Sequence, residues 1–167
     1  MRQKPMSISY RGCDVDLPFI AEHCDAFYIG GTKVGALCGE AVVFLNGAPR
    51  QFFTIVKQHG ALSAKGRLMG LQFDALFTDD LYFRISKHAI DMAMKMRTLF
   101  LKRGYRLFID SPTNQQFLII DNKRVAELEK HVLFTHWEPF GSDAFVCRFV
   151  TSWATTDDDL KVLEELL

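Results

Sequence analysis

The sequence predicts an α/β fold. A helical segment, a strand, a glycine turn and a second strand follow one another closely before residue 50. Strands and helices alternate again from about Tyr105 to the C-terminus, and a long helix with one apolar face stands between these regions. Mixed elements in this order are typical of layered α/β structures rather than of helical bundles.

The first predicted elements are a lead-in without regular structure over residues 1–12 and a helix from about Leu17. The lead-in has no periodic pattern of apolar residues. Asp16 can cap the helix, and Pro18 fits its first turn, because the N–H that proline lacks has no intrahelical partner there.

Two short strands follow this helix. The apolar run at residues 26–29 predicts a buried strand that ends at Gly30-Gly31. A second strand is predicted over residues 40–45, because Asn46-Gly47, a strong turn dipeptide, comes directly after it.

The middle of the chain is predicted to be helical. Residues 51–72 have a helical pattern broken by three glycines, each of which costs a helix about 1 kcal/mol relative to alanine. The next helix is clearer, because apolar residues recur at intervals of three and four and form one stripe. This stripe consists of Ile85, Ala89, Met92, Met96 and Leu99. Gly104 follows it at the position expected of a C-cap.

The last third of the chain is predicted to be a small β-α-β-α unit. Strands are predicted over residues 106–109 and 116–120, on either side of a turn at residues 111–114. A further strand is predicted over residues 145–150.

Two helices complete this unit. Asn122 is a candidate cap for the first helix, whose apolar residues are Val125, Leu128 and Val132. Thr156 and Asp159, three residues apart, form a capping box that predicts the final helix.

Composition and charge limit the function. Hydrophobic residues make up 49% of the 167 residues and charged residues 24%, which predicts a globular protein. Lys+Arg and Asp+Glu both number 20, so no net charge favours binding to nucleic acid or to a membrane. We see no transmembrane segment and no apolar signal core, and we expect a cytoplasmic protein. The cysteines and histidines lack C-x-x-C and H-x-x-x-H spacing, so neither a disulfide nor a metal site is predicted.

Lys33 is the first candidate for chemistry. It follows a predicted strand and the turn Gly30-Gly31, so its amine can project into a cleft at the sheet edge. A lysine that is desolvated there can lose its charge, as Schiff-base chemistry requires. Thr32 beside it offers a hydroxyl and a backbone N–H to an anion. A solvated loop lysine is the alternative, because a motif as short as G-G-T-K occurs by chance.

Arg148 is the second candidate. In a strand its side chain shares a face with Val146 and Val150. An arginine among valines is costly unless it meets an anion, and its planar guanidinium suits a carboxylate. A structural salt bridge with an acidic residue of the chain is the alternative.

A sparse basic cluster is the third candidate. It consists of Lys57, Lys65 and Arg67, interleaved with Gly60 and Gly66. Such a cluster can bind a phosphate, because glycines let a ligand approach the backbone closely. A solvated helix face is the alternative.

Four segments of the chain resemble the low-specificity L-threonine aldolases. They are DVDLPFIAEHCDAFYIGGTKVGALCGEAVVF (residues 14–44), KQHGALSAKGRLMGLQF (57–73), SPTNQQF (111–117) and RFVTSWAT (148–155), in the same order as in that family. The family belongs to the β-eliminating lyase group of fold type I pyridoxal-phosphate enzymes, which share the aspartate aminotransferase-like fold. Four matches in order are far more specific than any one of them. The resemblance covers only the C-terminal half of the family's chain.

This resemblance implies a domain organisation. Residues 1–80 would form the C-terminal portion of the large cofactor-binding domain, which includes Lys33. Residues 81–104 would form a connecting helix, and residues 105–167 the small α+β domain. Family members are homo-oligomers with active sites at subunit interfaces, so a homo-oligomer is implied here.

The resemblance also implies a cofactor and an activity. The cofactor is pyridoxal phosphate, and the reaction cleaves a β-hydroxy amino acid, such as threonine or allo-threonine, to glycine and an aldehyde. By the same resemblance, Lys33 matches the lysine that binds the cofactor, and Arg148 matches the arginine that binds the substrate α-carboxylate. Thr32 matches a neighbour of the cofactor phosphate, while Arg67 and Lys57 fall in a basic segment near the active site.

The chain departs from the family pattern upstream of Lys33. Only 32 residues precede this lysine, and they do not match the region in which the family carries the aspartate partner of the pyridine nitrogen. The aromatic residue that stacks on the cofactor and most phosphate ligands belong to the same region in the family. The alternative function is therefore a catalytically inactive fragment that acts as a structural or oligomerisation module.

Overall fold

A computed structural model describes residues 15–167 and divides them into two units. The first unit spans residues 15–85 and the second spans residues 86–167. The lead-in predicted over residues 1–12 lies outside the described residues. The domain boundaries predicted after residues 80 and 104 stay predictions.

The first unit contains a two-stranded antiparallel sheet. Its elements are α1 (Leu17–His23), β1 (Ala26–Gly30), β2 (Glu40–Phe44), α2 (Phe52–Gln58) and α3 (Arg67–Phe77). The predicted start of α1 is confirmed, because the Phe19 N–H donates a hydrogen bond of 2.7 Å to the Asp16 carboxylate. The turn predicted after β2 is also confirmed, with Gly47 at a φ of 85°.

The prediction that β1 is a buried strand was wrong. The residues of β1 alternate between exposed and half-buried, and Tyr28 in its centre is 70% exposed. β1 pairs with β2 along one edge, and a sheet of two strands buries little of its surface. An apolar run of this kind indicates a strand but does not tell how many neighbours that strand has.

The core of the first unit is small. Its buried apolar residues are Val34, Ala36 and Leu76. Phe73, Tyr82 and Ile85 pack against them and stay partly exposed. This core joins the segment that follows β1 to helix α3.

The second unit is built on a four-stranded antiparallel sheet with the strand order β3-β4-β6-β5. Its elements are β3 (Arg106–Ile109), β4 (Gln115–Asp121), α5 (Asn122–Leu128), β5 (Thr135–Phe140), β6 (Ala144–Val150) and α6 (Asp157–Leu166). Before them runs the long helix α4 (Leu81–Lys102), which confirms the predicted apolar stripe. The predicted capping box of α6 is confirmed as well, since Thr156 and Asp159 bond reciprocally.

Two predictions for the second unit were wrong. The prediction of a β-α-β-α unit omitted β5, whose six residues are all exposed and include a proline. The residue that caps α5 is Asp121 rather than Asn122, because the Asp121 carboxylate accepts the Arg124 N–H at 2.9 Å. This helix ends at Leu128, so Val132 lies beyond it.

The core of the second unit lies between one face of the sheet and the helices. It joins the stripe of α4 to alternate residues of β4 and β6 and to α5 and α6. Its buried members are Met92, Met96, Phe100, Leu118, Ile120, Val125, Leu128, Cys147, Phe149, Leu160 and Leu163. Burial raises the pKa of the Cys147 thiol to about 11, and the charge of Glu129 adds to this shift.

Among the described residues, we find no helix with the length and hydropathy of a membrane span.

Candidate functional site

Lys33 lies on a tight turn that directly follows β1. Residues Thr32–Val34 form a single turn of 3-10 helix, and Gly35, at a φ of 97°, ends it. The N–H groups of Val34 and Ala36 both donate to the Gly31 carbonyl, at 3.1 and 3.0 Å. This geometry buries Val34 and leaves the side chains of Thr32 and Lys33 exposed. The described residues therefore do not desolvate Lys33, which is what the alternative of a solvated loop lysine predicts.

Gly31 fits this turn because there is no room for a side chain. A Cβ atom at Gly31 would lie 2.7 Å from the Cβ of Ala36 and 2.9 Å from the Cζ of Phe73. Contacts this short do not occur between real side chains, so the backbone of the turn approaches α3 more closely than any other residue would allow. The turn that carries Lys33 is therefore held against α3.

Two hydrogen bonds anchor the same turn. The Leu37 N–H donates to the Gln72 Oε1 at 2.6 Å, which ties the end of the turn to α3. The Tyr82 hydroxyl donates to the Gly30 carbonyl at 2.9 Å, which ties its beginning to the first residues of α4. Burial raises the pKa of Tyr82, so the hydroxyl stays protonated and remains a donor.

The other candidate cations of the first unit are exposed. Arg67 is the first residue of α3, the helix that packs against the turn of Lys33. Lys57 lies in the last turn of α2, and Lys65 lies in the turn before α3. The structure thus places Arg67 on the helix that contacts the Lys33 turn and Lys57 on a different helix, α2.

Arg148 lies in β6, an inner strand of the second unit's sheet. Its Nη1 donates to the Gln115 Oε1 and its Nη2 donates to the Thr135 Oγ1, both at 3.3 Å. Its guanidinium carbon lies 5.2 Å from the centre of the Trp137 ring. Its Nε is buried and has no hydrogen-bond partner.

No described carboxylate lies within 4 Å of the Arg148 guanidinium. The alternative of a structural salt bridge is therefore wrong for the described residues. Both hydrogen-bond acceptors of the guanidinium are neutral groups, so no described anion compensates its charge. Such a group can bind a carboxylate through its remaining N–H donors.

Sequence reasoning missed the residues that surround these candidates. Thr135 and Trp137 belong to β5, a strand that the sequence did not indicate. Phe73 and Tyr82, which support the turn of Lys33, carry no motif of their own. Gln115 lies within the segment SPTNQQF and Phe73 ends the segment KQHGALSAKGRLMGLQF, so the resemblance was the available signal for these two residues.

The chain is similar to parts of longer solved structures. No protein-family profile matches the chain, and no curated protein matches it. The solved structure of a Leishmania major threonine aldolase matches with 37% sequence identity and a TM-score of 0.90, over 95% of this chain and 47% of that chain. The described chain therefore spans about half the length of the solved threonine aldolase that it matches.

More distant matches show the same fold. A serine palmitoyltransferase of Sphingomonas wittichii matches with 11% identity and a TM-score of 0.61, over 88% of this chain and 39% of that chain. A serine palmitoyltransferase structure with pyridoxal phosphate matches with 12% identity and a TM-score of 0.64, over 98% and 44%. The resemblance and the predicted fold class are confirmed, since the α/β structure is that of the C-terminal portion of a fold type I pyridoxal-phosphate enzyme.

Proposed function

We propose that this chain, which is similar to about half of a threonine aldolase, carries part of the active site of a pyridoxal-phosphate-dependent carbon–carbon lyase. Its substrate would be a β-hydroxy amino acid, cleaved between Cα and Cβ to glycine and an aldehyde. The observation that carries the proposal is the exposed Lys33 side chain on a turn that Gly31 packs tightly against α3. The 37% identity to the threonine aldolase supports it.

The residues of the Lys33 turn suit this cofactor chemically. Lys33 has an exposed amine with no hydrogen bond or ion pair to any described residue, so the amine is available to bind an aldehyde. The Thr32 hydroxyl and the Arg67 guanidinium are exposed, and both groups bind phosphate oxygens. Lys57 offers a further cation. Bound pyridoxal phosphate supplies an electron sink for the cleavage.

Arg148 has the complementary role in this proposal. Its guanidinium would bind the α-carboxylate of the amino acid by charge-assisted hydrogen bonds. A carboxylate held at a fixed place also fixes the directions of the other bonds at Cα, including the bond to be broken. The partners Gln115 and Thr135 are neutral, so they do not compete with this carboxylate for an ion pair with Arg148.

A second function, a structural or oligomerisation module, rests on a different observation. The first unit exposes several large apolar side chains, among them Leu37 at 89%, Phe53 at 72% and Tyr28 at 70%. Contact with another polypeptide would cover such side chains, and this supports the second function. We therefore propose a homo-oligomer under either function, with a small amino acid as the substrate under the first.

Cofactor binding tests the first function. The purified chain is mixed with pyridoxal phosphate, its visible absorption is recorded, and the mixture is reduced with borohydride and digested for mass spectrometry. We expect one stoichiometric adduct on Lys33, which Lys33→Ala abolishes and Lys65→Ala, a nearby exposed lysine, leaves intact. A Lys33→Ala chain that keeps the same adduct would show that the assignment is wrong.

An activity measurement can exclude the second function. Glycine and acetaldehyde formation from L-threonine is measured on the 167-residue chain, freed of contaminating aldolase. We expect weak or undetectable turnover, because preorganised groups that stabilise a transition state are worth about 3–4 kcal/mol each and the family's groups at the pyridine nitrogen have no match here. Turnover comparable to a complete threonine aldolase would contradict this expectation and exclude the module.

A further inference from the structure

Strand β5, which pairs with β6 beside Arg148, contains an irregularity that the pairing of β4 with β6 lacks. Strands β5 and β6 pair in register at Thr135 with Arg148 and at His136 with Cys147, and the register shifts by one residue before Glu138. Trp137 is therefore the extra residue of a β-bulge. A bulge turns a side chain away from its regular direction, and bulges occur often beside functional sites.

The bulge residue contacts the Arg148 guanidinium. The Trp137 ring centre lies 5.2 Å from the guanidinium carbon, within the range of a cation–π contact. Phe117, the Cα partner of Arg148 on β4, meets the same indole edge-on at 5.3 Å. Phe117 on β4 thus supports the indole of Trp137, and this indole contacts the Arg148 guanidinium.

The Nε of Arg148 is buried, whereas each Nη keeps one N–H that no described residue accepts. The five N–H donors of a guanidinium lie in its plane, and a ring that contacts its carbon through a cation–π interaction accepts none of them as a lone-pair hydrogen bond. Gln115 and Thr135 take one Nη each at 3.3 Å, beyond the usual range of N–H···O hydrogen bonds. Both partners are neutral, so they orient the group without neutralising its charge.

We propose that Trp137 is a positioning residue that holds the Arg148 guanidinium so that its N–H edge faces a carboxylate ligand. The inference rests on the proposed function for the identity of that ligand, the α-carboxylate of an amino acid. Trp137 acts through Arg148 and does not touch the ligand in this arrangement. Thr135 and Gln115 assist by fixing the rotation of the guanidinium within its plane.

The experiment uses NMR of the arginine Nε–H groups in the ¹⁵N-labelled chain, with sodium acetate as the probe and sodium chloride at equal ionic strength as the reference. Arg148→Lys identifies the Arg148 signal. The test variant is Trp137→Leu, and Trp137→Phe retains an aromatic face. The matched control is Trp153→Leu, because Trp153 is 53% exposed, Trp137 is 51% exposed, and Trp153 makes no ring contact with Arg148.

We expect acetate to shift the Arg148 signal in a saturable way in the wild-type chain. Trp137→Leu should weaken acetate binding about 2- to 5-fold, the range that a cation–π contact at an exposed site corresponds to. Trp137→Phe should recover most of this loss, and Trp153→Leu should leave acetate affinity unchanged. The backbone amide spectrum shows whether each variant is folded, and Trp137→Phe carries the test if Trp137→Leu does not fold.

Two results would overturn the inference. One is an acetate affinity that Trp137→Leu does not change, and the other is a wild-type Arg148 signal that acetate does not shift. The proposed function is judged separately by the adduct on Lys33, which lies in the other unit. A lost adduct with Trp137-dependent acetate binding counts against the proposed function alone.

Discussion

The two units of this chain differ in how they use their apolar residues. The second unit buries eleven residues in one described cluster, with one face of a four-stranded sheet against helices. The described cluster of the first unit has three buried residues beside a two-stranded sheet. Both units expose large apolar side chains, such as Leu37 at 89% in the first and Leu133 at 99% in the second, so the difference lies in the buried cores.

The first unit shows that a candidate reactive residue can be positioned in a unit with a small hydrophobic core. The turn of Lys33 is positioned by one close contact at Gly31 and by two hydrogen bonds, from Tyr82 and to Gln72. Arg148, by contrast, lies on a strand that is fixed by the whole sheet of the second unit. Local close packing can thus position a side chain in a unit that buries little apolar surface.

The largest effect is expected from the core of the second unit. Phe100 is fully buried and its ring lies 4.9 Å from that of Phe149, so Phe100→Ala should cost about 3–5 kcal/mol of unfolding free energy. Urea unfolding followed by tryptophan fluorescence measures this loss. Both tryptophans, Trp137 and Trp153, belong to the second unit, so the signal reports that unit.

Leu76→Ala in the core of the first unit is the matched variant for Phe100→Ala. Leu76 is 6% exposed and packs in the small cluster, so we expect little change in the tryptophan transition. Equal shifts of the urea midpoint for the two variants would contradict this expectation, because they would mean that the two units unfold in one cooperative transition.

A smaller effect is expected at the turn of Lys33. Gly31→Ala places a methyl group against Ala36 and Phe73, and overpacking of this kind costs about 1–3 kcal/mol. The variant should lower the fraction of chain that forms the Lys33 adduct and speed amide hydrogen exchange in β1 and β2. Gly30→Ala is the control, since no atom lies within 4 Å of its new Cβ. Equal adduct yields in the two variants would show that the close contact does not position Lys33.

The smallest effect is expected at the start of α6. Thr156→Ala removes the capping hydroxyl, a change that typically costs about 1 kcal/mol. Thr98→Ala is the control, because that exposed hydroxyl bonds only to a carbonyl of its own helix. Urea unfolding with tryptophan fluorescence measures both variants.

The cost of Thr156→Ala should depend on pH. Hydrogen bonds from the Thr156 hydroxyl and from the Thr156 N–H lower the pKa of Asp159 in the folded chain. A lowered pKa contributes stability that is fully present above the unfolded value, about 3.9, and is lost as the pH falls through the folded value. The difference between wild type and variant should therefore be constant near pH 6 and shrink below about pH 4. A difference that grows on acidification would contradict the capping role of Asp159.

Elements with local signals were predicted well. Asp16 and Thr156 cap the helices that the sequence assigned to them, and the interval pattern of α4 indicated its buried stripe. The cap of α5 was misplaced by one residue, because Asp121 and Asn122 are both good caps and the end of β4 decides between them. β5 was missed because a strand with six exposed residues has no apolar alternation.

The amino-acid sequence was enough to predict most of the helices and strands, the position of Lys33 on a glycine turn after a strand, and the resemblance to part of a threonine aldolase. The strand β5 and the surroundings of the candidate residues required the folded structure. Capping and periodicity depend on residues a few positions apart, so they can be recognised locally. The neighbours of Arg148 depend on strand register and on one bulge in β5, which bring Gln115, Thr135 and Trp137 together from distant parts of the chain. Register is a property of paired strands, and no single strand encodes it.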